Sequence, residues 1–244
     1  MPVNTGKYKE ILGELGGKVQ LVAVSKVKPI EDIRELYELG QRDFGENYVQ
    51  ELVDKQARLP ADIRWHFIGH LQSNKVKFIA PFVHLIQGID SFKLLKEIDK
   101  QAAKSGRVID CLLQVHIAQE ETKFGFDAME LDGIFGFGNA GKVSGTLPLH
   151  DLKHVRVVGL MGMASFSEDP VQVRKEFRYL KTLFDKYSRV TADRIPPFEN
   201  VFLTILSMGM SGDYKTALEE GSNMIRVGSL LFGKRSVGQL PGNL

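Results

Sequence analysis

Short apolar runs rich in β-branched residues recur along this chain, and each is followed by a stretch with the periodicity of an amphipathic helix. Eight such runs occur, at residues 19–25, 42–44, 64–68, 83–87, 108–114, 155–160, 201–205 and 224–227. The helix-like stretches begin at Pro29 and continue at 48–59, 73–80, 91–105, 171–187 and 213–220, with a weaker one within 127–134. Strict alternation of strand and helix is typical of a parallel sheet whose strands are connected by helices.

The number of strand-then-helix units separates two α/β architectures. Eight units in 244 residues match a closed (β/α)8 barrel, whereas an open doubly wound sheet more often stops at about five or six strands. We therefore predict an α/β fold with a single TIM-type (β/α)8 barrel domain over residues 1–244. Within it we expect an N-terminal helical extension at 1–17 and a tail without structural signal at 237–244.

Charge and cysteine content exclude several classes of partner. The formal net charge is +2, which gives no reason to expect nucleic acid or an anionic membrane surface. No run approaches the roughly 18 apolar residues of a membrane span, and the N-terminus lacks the apolar core of a signal peptide. Cys111 is the single cysteine, so no intramolecular disulfide and no cysteine-based zinc site can form. We expect a cytoplasmic protein.

A glycine-rich stretch at 133–149 interrupts the regular alternation. It contains Gly136, Gly138 and Gly141 in the spacing of a dinucleotide-binding motif. That motif requires a buried strand directly before it and a helix directly after it, and Gly145 and Pro148 interrupt the region that follows. We therefore predict a loop, whose role the sequence does not indicate.

Lys26 is the first candidate for chemistry, because ligands of such barrels bind at the carboxyl ends of the strands. It directly follows the first apolar run, and counting by two from Val22 and Val24 places its side chain on the same face. Lys28 shares that parity but lies beside the helix start at Pro29. The alternative is a lysine that extends its ammonium group to solvent at a strand end.

Two loops rich in small residues follow the seventh and eighth strands, at 207–213 and 226–229. Backbone amides of such loops are where these barrels bind phosphate, although the glycines could serve tight turns alone. A lysine that can react with a carbonyl, a phosphate-binding loop pair and Arg226 beside it together suggest pyridoxal 5′-phosphate. A sugar phosphate bound by an aldolase-type Schiff base on Lys26 remains a second interpretation.

Six segments, in order along the chain, resemble the pyridoxal phosphate homeostasis protein family, which is similar in fold to the N-terminal barrel of alanine racemase. They are Ala-Val-Ser-Lys at 23–26, Phe-Gly-Glu-Asn-Tyr at 44–48, Trp-His-Phe-Ile-Gly-His-Leu-Gln-Ser-Asn-Lys at 65–75, Gly-Leu-Met-Gly-Met at 159–163, Ser-Met-Gly-Met-Ser at 207–211 and Arg-Val-Gly-Ser-Leu-Leu-Phe-Gly at 226–233. The stretch at 133–145 departs from the helix that the resemblance implies before strand six.

The resemblance implies a protein that stores and delivers pyridoxal 5′-phosphate, held as a Schiff base on a lysine, without robust catalysis. Its recipients would be apo-enzymes that use this cofactor, and we expect a monomer without a metal ion. The implied cofactor contacts are the Schiff-base lysine, two residues lining the cofactor, an arginine at the ring nitrogen and four residues at the phosphate: Lys26; Asn47 and Met163; Arg226; Ser207, Met208, Gly228 and Ser229.

The main alternative is a racemase-like enzyme that uses the same cofactor. Such an enzyme needs a second acid or base opposite the lysine, and the barrel leaves no room for the additional domain that supplies it in alanine racemase. Tyr48 and His70, in the loops after strands two and three, are the acid–base candidates if activity exists. His66 and His84 lie in or beside apolar strands, where a hydrogen-bonded barrel residue is more common than a metal ligand.

Overall fold

The computed structural model describes residues 3–118, 124–136, 149–167, 169–192 and 199–233. Its eight parallel strands form a closed barrel in chain order, with β8 pairing back onto β1. The strands are β1 Gln20–Val24, β2 Asp43–Glu46, β3 Arg64–Phe67, β4 Leu85–Ile89, β5 Ile109–Val115, β6 Val155–Gly162, β7 Val201–Ser207 and β8 Met224–Val227. The predicted single (β/α)8 barrel is thereby confirmed.

The helices surround this barrel and cover its outer face. They are α1 Thr5–Leu15, α2 Ile30–Glu38, α3 Val49–Arg58, α4 Val76–Ile79, α5 Phe92–Lys104, α6 Ala128–Phe135, α7 Pro170–Ala192, α8 Tyr214–Glu219 and α9 Ser229–Phe232. The predicted N-terminal extension contains α1, which buries Tyr8, Ile11 and Leu15 at helical spacing. The predicted tail at 237–244 lies outside the described residues.

Most strands differ from their predicted bounds by one or two residues, and strand β2 and helices α4 and α6 show the physical reasons. Strand β2 continues through Gly45 and Glu46, because backbone pairing with His66 and Phe67 of β3 extends it beyond its apolar residues. The helix predicted at 73–80 begins as a 3-10 turn, Ser73–Lys75, before α4. Helix α6 runs past the predicted loop start at residue 133 and ends at Gly136, whose φ is 67°. Residues 137–148 of that loop are outside the described part of the chain.

Apolar side chains form two separate layers. The larger lies between the strands and the helices, where Phe44, Phe67 and Phe177 are buried. The smaller fills the inside of the barrel and includes Val22 and Met224. The inner layer fills the barrel interior beneath the carboxyl ends of the strands, where barrels of this kind place their ligand sites.

None of the helices in the described ranges combines the length and apolar composition of a membrane-spanning segment. Cys111 is buried on β5, and burial raises the pKa of its thiol, which keeps it protonated and unreactive at neutral pH.

Candidate functional site

A cavity of about 1000 Å³ opens at the carboxyl ends of the barrel strands. Its wall contains residues at or just after the ends of six strands: Val24 at the end of β1, Asn47 after β2, Ile68 after β3, Met163 after β6, Met210 after β7 and Gly228 after β8. This volume lies at the upper end of the range of small-molecule sites. The barrel therefore offers one end at which loops from distant parts of the sequence can enclose a ligand.

Six of the eight predicted site residues line this cavity, and two do not. The lining residues are Lys26, Asn47, Met163, Arg226, Gly228 and Ser229. Ser207 and Met208 are fully buried beneath the wall. Tyr48 and His70 do not belong to the lining residues either.

Lys26 and Lys28 both line the cavity. Lys28 Nζ donates to the carbonyl oxygen of Phe232 at 2.6 Å and so ties the first loop to the end of α9. Lys26 is half-buried on the cavity wall, directly above the inner layer that contains Val22. The alternation of side chains along β1, which places Lys26 on the face of Val22, favours Lys26 as the amine for a ligand.

Arg226 is a buried cation at the base of the cavity. Its guanidinium donates to Ser207 Oγ at 2.6 Å and to the carbonyl oxygen of Gly162 at 3.0 Å. Burial lowers the pKa of Arg226 to about 10, so the side chain remains charged at neutral pH. A ring nitrogen facing this group would be kept unprotonated, because a second positive charge beside it is unfavourable.

In the loop after β7, the residues before Gly209 and those after it have different surroundings. The Met208 amide donates to the carbonyl oxygen of Met224, and Ser207 Oγ donates to Gln87 Oε1. Ser211 and Gly212, four or five residues further along, reach the cavity wall. Ser207 and Ser211 are the first and last residues of the Ser-Met-Gly-Met-Ser segment at 207–211. Strand parity alone does not show which of these two serines faces the ligand.

Two observations test whether these residues suit a phosphorylated pyridine aldehyde. A Cβ atom on Gly228 would lie 3.2 Å from the Val24 carbonyl oxygen, so glycine allows the backbone there to approach the wall closely. Asn47 Oδ1 is buried without a hydrogen-bond partner among the described residues. A lysine amine, a buried arginine, an unsatisfied amide and small residues at the loops form a donor set that fits this cofactor.

A buried polar cluster below Lys26 was not foreseen from the sequence. Lys55 Nζ donates to Glu46 Oε1 at 2.8 Å and to Glu51 Oε1 at 2.6 Å, and Lys55 and Glu46 are both buried. Burial raises the pKa of Glu46 to about 7, although the Lys55 ammonium opposes that shift. In the sequence, Glu51 and Lys55 form an ordinary i,i+4 pair of the kind found on helix surfaces, so no signal marked Lys55 as interior.

The histidines of the barrel occupy its two ends. His66 is buried and bonds Asp43 and Gln87, as expected of a hydrogen-bonded barrel residue. Asp43, His66 and His84 offer atoms within 4.8 Å of one another, but Arg64 already pairs with both oxygens of Asp43. His70 pairs with Asp90 at 2.9 Å and stacks on Phe124 near the ligand end.

Comparisons with known proteins identify the family of this chain. Residues 4–236 match the model of the alanine racemase N-terminal domain. The pyridoxal phosphate homeostasis protein of Aquifex aeolicus is 42% identical over 217 residues, which are 88% of this chain and 87% of that protein.

Solved structures of PipY and of alanine racemase are similar to this chain in fold. PipY of Synechococcus elongatus PCC7942 is 34% identical, with a TM-score of 0.82 without PLP and 0.79 with PLP bound, over 93% of this chain and 99% of PipY. Alanine racemase of Streptomyces coelicolor A3(2) shares the fold at 16% identity and a TM-score of 0.68, over 94% of this chain and 57% of that enzyme. The chain is a member of the pyridoxal phosphate homeostasis protein family.

Proposed function

We propose that this protein binds pyridoxal 5′-phosphate at the cavity and serves in intracellular cofactor homeostasis, storing the cofactor and delivering it without robust catalysis of its own. One observation carries the proposal: Lys26 and the buried cation Arg226 line the same cavity at the carboxyl end of the barrel. The PLP-bound structure of PipY, which is 34% identical, supports it.

When bound, the cofactor supplies an aldehyde that a lysine amine can attack reversibly. Lys26 is the residue we assign to that attachment, since it lines the cavity and follows β1 on the face that carries Val22 of the inner layer. Arg226 would face the ring nitrogen, and Asn47 and Met163 would line the ring. An arginine in that position weakens the ring as an electron sink, which favours holding the cofactor over using it for catalysis.

The phosphate would lie against Gly228 and Ser229. Ser211 Oγ accepts a hydrogen bond from the Gly228 amide at 3.2 Å, which ties the seventh and eighth loops together at this wall. We assign Ser211 to the phosphate as well. Ser207 and Met208, which the family resemblance implies at the phosphate, would support the wall from beneath without contacting the phosphate, Ser207 through the hydrogen bond it accepts from Arg226.

We also propose that recipients are apo-enzymes that use this cofactor, and that the protein acts as a monomer in the cytoplasm. The near-neutral charge and the single, buried cysteine support an intracellular protein without nucleic acid or membrane partners. Transfer from the loaded protein to an apo-enzyme should then be faster than passive release into solution.

The assignment of Lys26 is tested by spectroscopy and peptide mapping. The protein loaded with the cofactor should be yellow, and borohydride should fix the chromophore to the peptide that contains Lys26. Lys28→Ala is the matched control and should label as the unmodified protein does, whereas Lys26→Ala should not label. A label on Lys28, or no label, contradicts the proposal.

A further inference from the structure

The residue after Lys26 has an unusual backbone conformation. Val27 has a φ of 60° and is the only non-glycine residue with positive φ among the described residues. This left-handed region is unfavourable for a β-branched residue, because its Cβ crowds the following carbonyl oxygen. Such a conformation persists only where surrounding contacts hold it.

One buried cluster holds the chain on both sides of Lys26. We call Glu46, Glu51 and Lys55 the anchor cluster. The Val27 amide donates to Glu51 Oε1 at 2.6 Å. On the other side, Ser25 Oγ donates to Glu46 Oε1 at 2.6 Å, and Lys55 Nζ donates to the Ser25 carbonyl oxygen at 2.7 Å.

The composition of the cluster indicates a role other than stability. Glu46 of β2 and Lys55 of α3 are buried and Glu51 is partly buried beside them, so desolvation offsets much of their attraction. Two carboxylate oxygens, Glu46 Oε2 and Glu51 Oε2, are buried without a partner among the described residues. An apolar trio would fill this space at lower cost but could not bind the backbone groups of residues 25 and 27.

We propose that Glu51, held by Lys55, is a positioning residue that keeps Val27 left-handed and thereby directs the Lys26 amine into the cavity. The inference rests on the proposed function, in which Lys26 attaches the cofactor. Glu51 is not among the residues lining the cavity, so it would act through the backbone of the turn and not by contact with a ligand.

A double-substitution experiment tests this positioning. Glu51→Ala removes the acceptor and should raise the dissociation constant for pyridoxal 5′-phosphate about tenfold, the size expected for releasing one strained residue. Glycine adopts positive φ without steric cost. Glu51→Ala combined with Val27→Gly should therefore bind within about threefold of Val27→Gly alone, while Glu51→Ala combined with Val27→Ala should stay weak.

The rescue pattern separates positioning from a general structural role. A merely structural role of Glu51 would not be rescued by glycine at residue 27, and Glu35→Ala, on the exposed face of α2, controls for loss of a surface glutamate. A Glu51→Ala dissociation constant within twofold of the unmodified protein, or equal rescue by glycine and alanine, overturns the inference.

Two further measurements keep the test decisive. If Glu51→Ala does not fold, Glu51→Gln retains an oxygen for the Val27 amide and should bind within about threefold of the unmodified protein; a tenfold loss contradicts the inference. Borohydride mapping of the unmodified protein is done in parallel. Absence of label on Lys26 there rejects the proposed function, whereas label on Lys26 together with unaffected binding by Glu51→Ala rejects only this inference.

Discussion

Arg226 Nη1 donates to Ser207 Oγ at 2.6 Å, and this contact begins a hydrogen-bond chain across the barrel interior. Ser207 then donates to Gln87 Oε1 at 2.7 Å, Gln87 Nε2 lies 3.0 Å from His66 Nδ1, and His66 Nε2 lies 3.0 Å from Asp43 Oδ1. Because arginine can only donate hydrogen bonds, the donor and the acceptor of each following bond are fixed in turn. Gln87 Nε2 donates to His66 Nδ1, so the His66 proton is assigned to Nε2, which donates to Asp43. The buried cation is thus connected to a carboxylate at the opposite end.

Ser207→Ala should destabilise the fold without changing the preference for pyridoxal 5′-phosphate over pyridoxal. The substitution leaves an Arg226 donor and the Gln87 acceptor unsatisfied in the interior, which costs about 1–3 kcal/mol in the free energy of unfolding. Ser207 does not line the cavity, so the ratio of pyridoxal to pyridoxal 5′-phosphate dissociation constants should stay within about twofold. Chemical denaturation and spectroscopic titration measure the two quantities. A marked loss of preference for the phosphorylated form would instead place Ser207 at the phosphate.

Gly228→Asp should abolish tight binding of the phosphorylated cofactor while Lys26 remains intact. The new carboxylate would repel a phosphate, and its Cβ would lie 3.3 Å from Val24 Cβ. Gly212→Ala is the matched control, since a Cβ at Gly212 meets no atom within 4 Å. Titration with pyridoxal and with pyridoxal 5′-phosphate tests this prediction. Equal affinity of the unmodified protein for the two compounds would show that the loops after β7 and β8 are ordinary turns.

Stability should fall as pH rises from about 5 to 7 because of Glu46. Its pKa is raised by burial from the ordinary 4.5 to about 7, so the folded state binds this proton more tightly than the unfolded state. The contribution is therefore complete below the unfolded pKa and lost as pH rises through the folded one, at up to about 1.4 kcal/mol per pH unit. Glu46→Gln should remove this slope; an unchanged slope in denaturant titrations across pH 5–7 would contradict the assignment.

Asp43 should make stability fall as pH decreases, which is opposite to the effect of Glu46 and occurs at lower pH. Burial alone raises its pKa, but hydrogen bonds from His66 and Arg64 outweigh burial and hold the pKa well below its ordinary value of 3.8. The stability it contributes is present above the unfolded pKa and is lost as pH falls below it. Asp43→Asn should reduce acid sensitivity below pH 4 and leave the pH 5–7 slope unchanged. A change in that upper slope would mean that the two carboxyl groups are not independent.

The loaded protein should not exchange the Cα proton of amino acids at an enzymatic rate. Among the described residues, the titratable side chains lining the cavity are Lys26, Lys28, Asp213 and Arg226. Lys28 donates to Phe232, and Asp213 Oδ1 accepts from the Met210 amide. In the described part of the cavity lining, no tyrosine or histidine is present to act as an acid or base opposite Lys26.

Incubation with L- and D-amino acids in D₂O, followed by proton NMR, measures this exchange. Deuterium at Cα appearing much faster than with the free cofactor, and absent in Lys26→Ala, would favour the racemase-like alternative. Tyr48 and His70 would then be the first residues to replace, although reaching the cofactor would require their loops to move toward the cavity.

The sequence by itself determined the barrel and the end of it at which the cavity lies. Alternating strand and helix periodicities are local properties, and eight of them in this length leave few architectures. Lys26 could be placed by counting along one strand, because side chains alternate between faces with a period of two. The loops after β7 and β8 could be located as well, because the carboxyl ends of all strands lie at one end of a parallel barrel.

Only the tertiary structure decided which side chains of those loops face the cavity and which charges are buried. Arg226 bonds the carbonyl oxygen of Gly162 from 64 residues away, a contact that exists only when the strands close into a barrel. The same closure buries Ser207 and brings Ser211 to the wall. Lys55 has the local pattern of a surface helix residue, and it becomes interior because the turn after β1 packs over it. Local periodicity records a residue's face, whereas burial and pKa depend on partners that the fold brings from elsewhere in the chain.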